Sequence, residues 1–209
     1  MSSLAAALVA SYLAGSIPTA LIAGRIVGKI DIREAGSGNA GATNVYRLFG
    51  LKPYLVTLGV DIFKGYAAVV FIAPYGAGIV TEGRTALLCG VLAILGHIWT
   101  VFARFKGGKG VATGGGVMLG LAPWAALAAV GVYLAVTFTT KYVSLGSMLA
   151  ALSLPIFILL IEPGAGRLVL IIAFGLAALI IYTHRSNIRK LVRGEEGKTD
   201  FFARHGDIK

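Results

Sequence analysis

Charge is scarce in this chain, and acidic charge is scarcest. Only 13% of its 209 residues are charged, and nine Asp and Glu stand against nineteen Lys and Arg. A soluble domain carries about 25% charged residues, so this composition excludes an ordinary water-facing surface. There is a single cysteine, Cys89, set inside an apolar run. One thiol excludes an intrachain disulfide and a thiolate metal cluster, and Cys89 is expected as a small buried apolar residue. His, Cys and carboxylates show no metal-ligand spacing, so neither a metal nor a cofactor is expected. No Ser-His-Asp order with a matching context is visible. The H-x-x-x-x-D spacing of common acyltransferases is missing too: at that offset His97 meets Phe102 and His184 meets Arg189. The sequence therefore offers anion binding and hydrogen bonds rather than a nucleophile of its own.

What is abundant is apolar. Hydrophobic residues make up 57% of the chain, and the mean hydropathy is +0.84. The expected fold is all-α, a polytopic integral membrane protein forming one domain over 1–209. Six stretches approach the ~20 apolar residues that a spanning helix needs: 3–24, 53–74, 84–105, 123–140, 143–161 and 167–182. The first has no basic region before it and no clear cleavage site before Arg25, so it is read as a retained span. The net charge of +10 would suggest nucleic acid in a soluble protein. Here it points instead to positive-inside orientation and to an anionic substrate, with no nucleic acid expected.

Six spans conflict with those charges. They would place Arg25, Lys29, Arg33, Arg47 and Lys52 inside, but the basic tail with Arg185, Arg189, Lys190 and Arg193 outside. One more crossing repairs this. The apolar, glycine-rich stretch 110–122 would be about 20 Å long as a helix. A short span is tolerated by bilayer thinning or by burial among neighbours. Seven spans are therefore expected, one of them short, with the N-terminus outside and the C-terminus inside. Only Arg84 and Arg167 then fall outside, beside Glu82 and Glu162. The pair Gly116/Gly120 has small-x-x-x-small spacing, which suits close helix packing, and 15–18 (GSIP) reads as a kink.

Three clusters fall on the inner side. The first, GSGNAGATNVYR at 36–47, offers Ser, Thr and Asn groups for polyol or phosphate oxygens. Arg47 can grip a phosphate with two parallel bonds. If Ser37 or Asn39 caps the following helix, its N-terminus also favours an anion; a plain glycine-rich turn is the alternative. The second, RFKGGKGVAT at 104–113, sets cations among glycines whose N–H groups could point at an anion. Its spacing is not that of a nucleotide-triphosphate loop, and binding of anionic lipid is the competing reading. His97 precedes it, read as a packing histidine. The third, HRSNIRKLVRGE at 184–195, continues the last span. Its arginines suit headgroup anchoring, while His184 and Asn187 could turn inward to a substrate. Asp61 and Lys64, at i, i+3 within a span, read as an intrahelical pair lying under the site.

Taken together, 36–47, 96–113 and 184–188 resemble the three cytoplasmic motifs of the bacterial acyl-phosphate-dependent glycerol-3-phosphate acyltransferase family. The resemblance covers nearly the whole chain, including the order and length of the spans. It implies a seven-span enzyme of the bacterial inner membrane with a cytoplasmic site. It implies transfer of a fatty acyl group from acyl phosphate to the 1-hydroxyl of glycerol 3-phosphate, giving lysophosphatidate and phosphate. Neither acyl-CoA nor acyl carrier protein would be the donor, and a substrate phosphate would accept the hydroxyl proton. Functional coupling to the enzyme that makes acyl phosphate is implied as well. Under this resemblance Ser37, Asn39, Thr43, Asn44 and Arg47 would bind glycerol 3-phosphate. Lys106, Gly107, Gly108 and Lys109 would hold the acyl phosphate, and His184 and Asn187 would orient the acceptor or stabilise the oxyanion.

Two readings compete with it. A membrane transporter of phosphate or a phosphorylated polyol would need polar linings at both faces, yet the outer loops are short and nearly bare. A structural protein anchoring membrane lipids leaves the Ser/Asn/Thr-rich first cluster unexplained.

Overall fold

The structure, a computed structural model, describes residues 2–76, 78 and 81–201. Part of the interval 75–83 and the end of the basic tail therefore lie outside the described residues. Every regular element described is helical: α1 (Ser2–Ser16), α2 (Thr19–Ala23), α3 (Ala42–Phe49), α4 (Leu51–Ala67), α5 (Glu82–Ile98), α6 (Val111–Leu121), α7 (Pro123–Thr140), α8 (Val143–Ile161), α9 (Arg167–Thr183) and α10 (Arg185–Val192). The reason is the solvent. Lipid offers no partner to a backbone N–H or C=O, so each crossing segment pairs its own. Large apolar side chains point outward on several helices, among them Leu55, Phe63, Leu127, Leu160 and Phe174. The small polar residues Ser11, Thr57, Thr85, Thr113 and Thr137 turn inward.

Among the described residues, five segments are long and apolar enough to cross a bilayer: Ser3–Gly28, Leu51–Gly76, Glu82–Ala103, Pro123–Thr140 and Val143–Ile161. The first is not continuous. The chain breaks at Ile17 and Pro18, so the expected kink is a full interruption between α1 and α2. The last expected span is α9, which bends by 59° into α10 at His184. The stretch expected to cross between 110 and 122 forms α6, with 11 residues, about 16 Å at 1.5 Å per residue.

Glycine lets this short helix sit inside the bundle. Gly116 lies against the Ile62 carbonyl of α4, and Gly65 of α4 lies against the Thr113 carbonyl. A Cβ on Gly120 would come within 2.9 Å of Val69, and one on Gly90 of α5 within 2.7 Å of Val117. Both members of the small-x-x-x-small pair thus face the same neighbour. Backbones that approach so closely gain dispersion contacts that lipid cannot supply. Behind α6, the core of α5, α7, α8 and α9 is filled by Ile94, Met118, Met148, Leu154, Ile158 and Leu176, among others.

The connections sort into two ends. At one, the Glu162 carboxylate accepts the Ala125 N–H at 2.8 Å and so satisfies the start of α7. At the other lie the long segments between α2 and α3, between α5 and α6, and after α9. These three pack on one another and carry most of the basic residues.

The packing makes a prediction. Gly116→Leu drives a side chain into the Ile62 backbone, and overpacking costs about 1–3 kcal/mol or more. Thermal unfolding in detergent should fall by several degrees. Gly131→Leu, where nothing lies within 4 Å, should leave it unchanged.

Candidate active site

The segment between α2 and α3, here loop 1, is held by side-chain bonds to its own backbone. Asp31 accepts the Arg33 backbone N–H at 3.0 Å and pairs with the guanidinium at 2.6 Å. Arg33 holds the Asp31 carboxyl down at about 2. Arg33 also donates to the Ala103 carbonyl at 3.2 Å, tying loop 1 to the segment after α5. Asn44 is the organiser. Its amide donates to the Ile32 and Ala35 carbonyls at 2.9 and 3.0 Å, and its oxygen accepts the Ser37 N–H at 2.8 Å. It is 1% exposed.

This corrects the expectation that Asn44 contacts substrate. Both its donors serve the loop, because three backbone groups in a glycine-rich turn lack partners of their own. The cap expectation is corrected as well. Gly41, not Ser37 or Asn39, stands at the start of α3, with no side-chain cap. Ser37 is exposed, while Asn39 and Thr43 are half-buried. Their side chains make no hydrogen bond among the described residues and so keep their polar atoms available.

Loop 2, between α5 and α6, doubles back on the end of α5. Arg104 and Phe105 take left-handed backbone angles, φ 55° and 60°. The chain then reverses, so that Gly107 N–H donates to Ile98 O at 3.0 Å and Gly108 N–H to His97 O at 3.1 Å. The N–H groups of Phe105 and Lys106 are likewise engaged, on the Thr100 and Ala103 carbonyls. The expectation that Gly107 and Gly108 offer free N–H groups to an anion is therefore corrected. The helix end left carbonyls without partners, and these glycines satisfy them. Glycine is required for space: a Cβ on Gly107 would stand 2.8 Å from Ile98 O, and one on Gly108 2.9 Å from Ala40 O. The N–H groups still free of helical partners are those at the start of α6. Lys106 is exposed, with no ion pair among the described residues.

Lys109 reaches the third motif. Its ammonium donates to the Asn187 side-chain oxygen, and its carbonyl accepts the Thr183 hydroxyl at 3.1 Å. The Asn187 amide donates to Glu196 Oε1 at 2.7 Å, and Ser144 donates to the same oxygen at 2.7 Å. Burial pushes the Lys109 ammonium down to about 8, with Arg47 and Lys190 adding to the effect and Glu196 opposing it. His184 sits at the bend between α9 and α10 and is 3% exposed. Its Nδ1 lies 2.8 Å from Ile180 O, a carbonyl that can only accept, so Nδ1 carries the hydrogen. Burial, aided by Lys109, lowers its pKa to about 4. The imidazole is therefore neutral near pH 7, with Nε2 as an acceptor.

The tail closes the cluster. Gly194, at φ 70°, ends α10, and residues 195–200 run back across the bundle. Arg47 donates to Gly197 O at 2.8 Å and to Thr199 Oγ1 at 2.9 Å. Thr199 N–H bonds Lys141 O at 2.8 Å, and Tyr46 donates to Asp200 O at 3.0 Å. Arg47, Lys109, His184 and Asn187, one or more from each motif, thus meet beside Glu196, Ser144 and Thr199. The reading of the sequence missed those last three. In a chain with nine carboxylates, Glu196 within a basic tail was a usable signal; Ser144 and Thr199 gave none.

Residues 5–194 match the profile described as glycerol-3-phosphate acyltransferase. A protein of that name from Pelodictyon phaeoclathratiforme is 41% identical, covering 98% of this chain and 100% of its own. One from Chlorobaculum parvum is 43% identical, covering 91% and 94%. The fold is similar to the crystal structure of PlsY (YgiH), an integral membrane glycerol 3-phosphate acyltransferase, in its glycerol 3-phosphate form. That match has TM-score 0.84 and 37% identity and covers 95% of this chain and 96% of that one. The lysophosphatidic acid form gives 0.83 and 36%, with the same coverage.

The Lys109 ammonium is charged below pH 8 and neutral above it, so its pull on an anion is present at low pH and lost as pH rises through about 8. kcat/KM, which reports the free enzyme, should therefore fall on an alkaline limb near pH 8. Lys109→Arg should move that limb upward, since a guanidinium stays charged. A pH–rate profile from 6 to 10 checks both.

Proposed function

The chain belongs to the glycerol-3-phosphate acyltransferase family, and from that premise we propose that its acyl donor is acyl phosphate. The acyl group goes to the 1-hydroxyl of glycerol 3-phosphate, giving lysophosphatidate and inorganic phosphate. The observation that carries this reading is the convergence of Arg47, on α3, and Lys109, on loop 2, beside a neutral His184, with no protein nucleophile among them. Both substrates bear phosphate, and this site concentrates cations and hydrogen-bond groups.

The reaction needs little more. The acceptor hydroxyl oxygen attacks the acyl carbonyl carbon. The carbon–oxygen bond to phosphate breaks, and the hydroxyl proton leaves on a phosphate oxygen. Arg47 and Lys109 neutralise phosphate, and Lys106 adds charge at the exposed lip. His184 Nε2 accepts from the neighbouring 2-hydroxyl of glycerol 3-phosphate and so aims the 1-hydroxyl, whose own proton stays free for the phosphate oxygen. At a pKa of about 4 the imidazole is a weak base but a sound hydrogen-bond acceptor, which suits proton transfer to the substrate itself. Asn187 holds Lys109 in place, while Ser37, Asn39 and Thr43 face the glycerol hydroxyls. Orientation and preorganised charge supply the rate.

The basic end of the bundle faces the cytoplasm of a bacterial inner membrane, and seven segments cross, with α6 as the short one. The positive-inside rule supports this orientation. A soluble phosphate ester and an acyl chain can then meet at the interface, where coupling to the enzyme that makes acyl phosphate is direct.

Purified protein in lipid vesicles should release phosphate from acyl phosphate only when glycerol 3-phosphate is present. Acyl-CoA should not substitute; turnover with acyl-CoA and none with acyl phosphate overturns the donor assignment. Arg47→Ala and Lys106→Ala should each lose about 100-fold or more in kcat/KM, the scale of one preorganised charge contact, while still inserting and folding. Near-normal turnover in either variant removes that residue from the site.

A further inference from the structure

Asp61 and Lys64 stand one turn apart on α4, with 2% and 4% of their surface exposed. The Lys64 ammonium lies 2.8 Å from Asp61 Oδ1. It also donates at 3.0 Å to the Ile17 carbonyl, which the break between α1 and α2 leaves outside the helical ladder. Thr19 donates to the same Asp61 oxygen at 3.1 Å. A buried pair of this kind contributes little net stability, since apolar residues of similar volume often do as well. Its location says more than its energy.

His97, on the last turn of α5, presents Nδ1 3.6 Å from Asp61 Oδ1. The same residue touches loop 2 twice. Its carbonyl accepts the Gly108 N–H at 3.1 Å, and its Nε2 faces the Gly108 Cα so closely that a Cβ there would collide with it. A cavity of about 10 Å³, room for one water, lies between the pair and the turn; Asp61, Lys64, His97 and Thr100 line it with Gly107 and Gly108. The next residue along the chain is Lys109. A continuous set of contacts therefore runs from a buried carboxylate in α4, through an imidazole, to the residue beside the ammonium that joins the site.

We propose that His97, set beside Asp61, is a positioning residue for the reaction: it sets the seat of Gly108 and so the aim of Lys109. The inference rests on the reading that Lys109 holds a substrate phosphate. A binding group misplaced by about 1 Å can cost about 100-fold in rate, so a rigid seat beneath a glycine turn has a clear use. Lys64 pairs with Asp61, and Thr19 donates to the oxygen that faces the imidazole.

The test compares His97→Ala, His97→Gln and Lys109→Met in vesicles, with kcat, KM for each substrate, the alkaline limb and the unfolding temperature. His97→Ala should raise KM for a phosphorylated substrate about tenfold and shift the limb from pH 8. Its kcat should stay within about threefold, and its unfolding temperature within a few degrees. His97→Gln, which restores a polar group toward Asp61, should recover most of the KM. A uniform loss of activity that follows loss of folded protein, or a wild-type KM and limb, overturns the proposal. A wild-type KM in Lys109→Met sinks the Lys109 reading instead. A raised KM there, with none in His97→Ala, sinks the positioning role alone. Should His97→Ala fail to insert, the paired Asp61→Asn/Lys64→Met variant removes the charges at similar volume. It should show the same KM rise, and a wild-type KM in it overturns the proposal.

Discussion

A polar group moved out of water into hydrocarbon costs several kcal/mol unless it finds a partner, and the plan of this protein follows from that constraint. The crossing segments are helices because a helix pairs its own backbone. Where a helix stops inside the bundle, its end groups must be answered locally. The end of α5 is answered by Gly107 and Gly108, the start of α7 by Glu162, and Ile17 by Lys64. Each answer fixes a loop. The active cluster sits where three such loops meet.

The same constraint separates residues that bind from residues that build. Asn44 and Gly108 stand in motifs that carry chemistry, yet both serve the backbone. Asn44 closes loop 1 with three bonds, and Gly108 admits the turn of loop 2 against His97 and Ala40. Arg47, Lys109 and His184 project from the frame so made. Burial tunes two of them, pushing the Lys109 ammonium down to about 8 and the His184 imidazole down to about 4. The first is a cation that is lost as pH rises through about 8, the second a neutral acceptor near pH 7.

Much of this was legible in the sequence. Apolar length gave the long helices, and the charge tally pointed to a short crossing over 110–122, where the structure has the 11-residue helix α6. Motif chemistry pointed to Arg47, Lys109, His184 and Asn187. What stayed hidden depends on contacts between distant segments. Nothing local marks Ser144 or Thr199, since each acts through a partner more than fifty residues away or brought in by the tail. The free N–H groups read into Gly107 and Gly108 were a local inference. It failed because the end of α5 lies above them with unpaired carbonyls. The Asp61/Lys64 pair was visible at i, i+3, but its link to His97 needs two helices and a break.

The tail has a further consequence, for the order of assembly. Glu196 and Thr199 follow every helix among the described residues, yet Glu196 holds Asn187 beside Lys109 and Thr199 holds Arg47. The cluster cannot close while the chain is still being threaded into the bilayer. The cluster is therefore completed last, when the tail docks on segments that precede it in the chain.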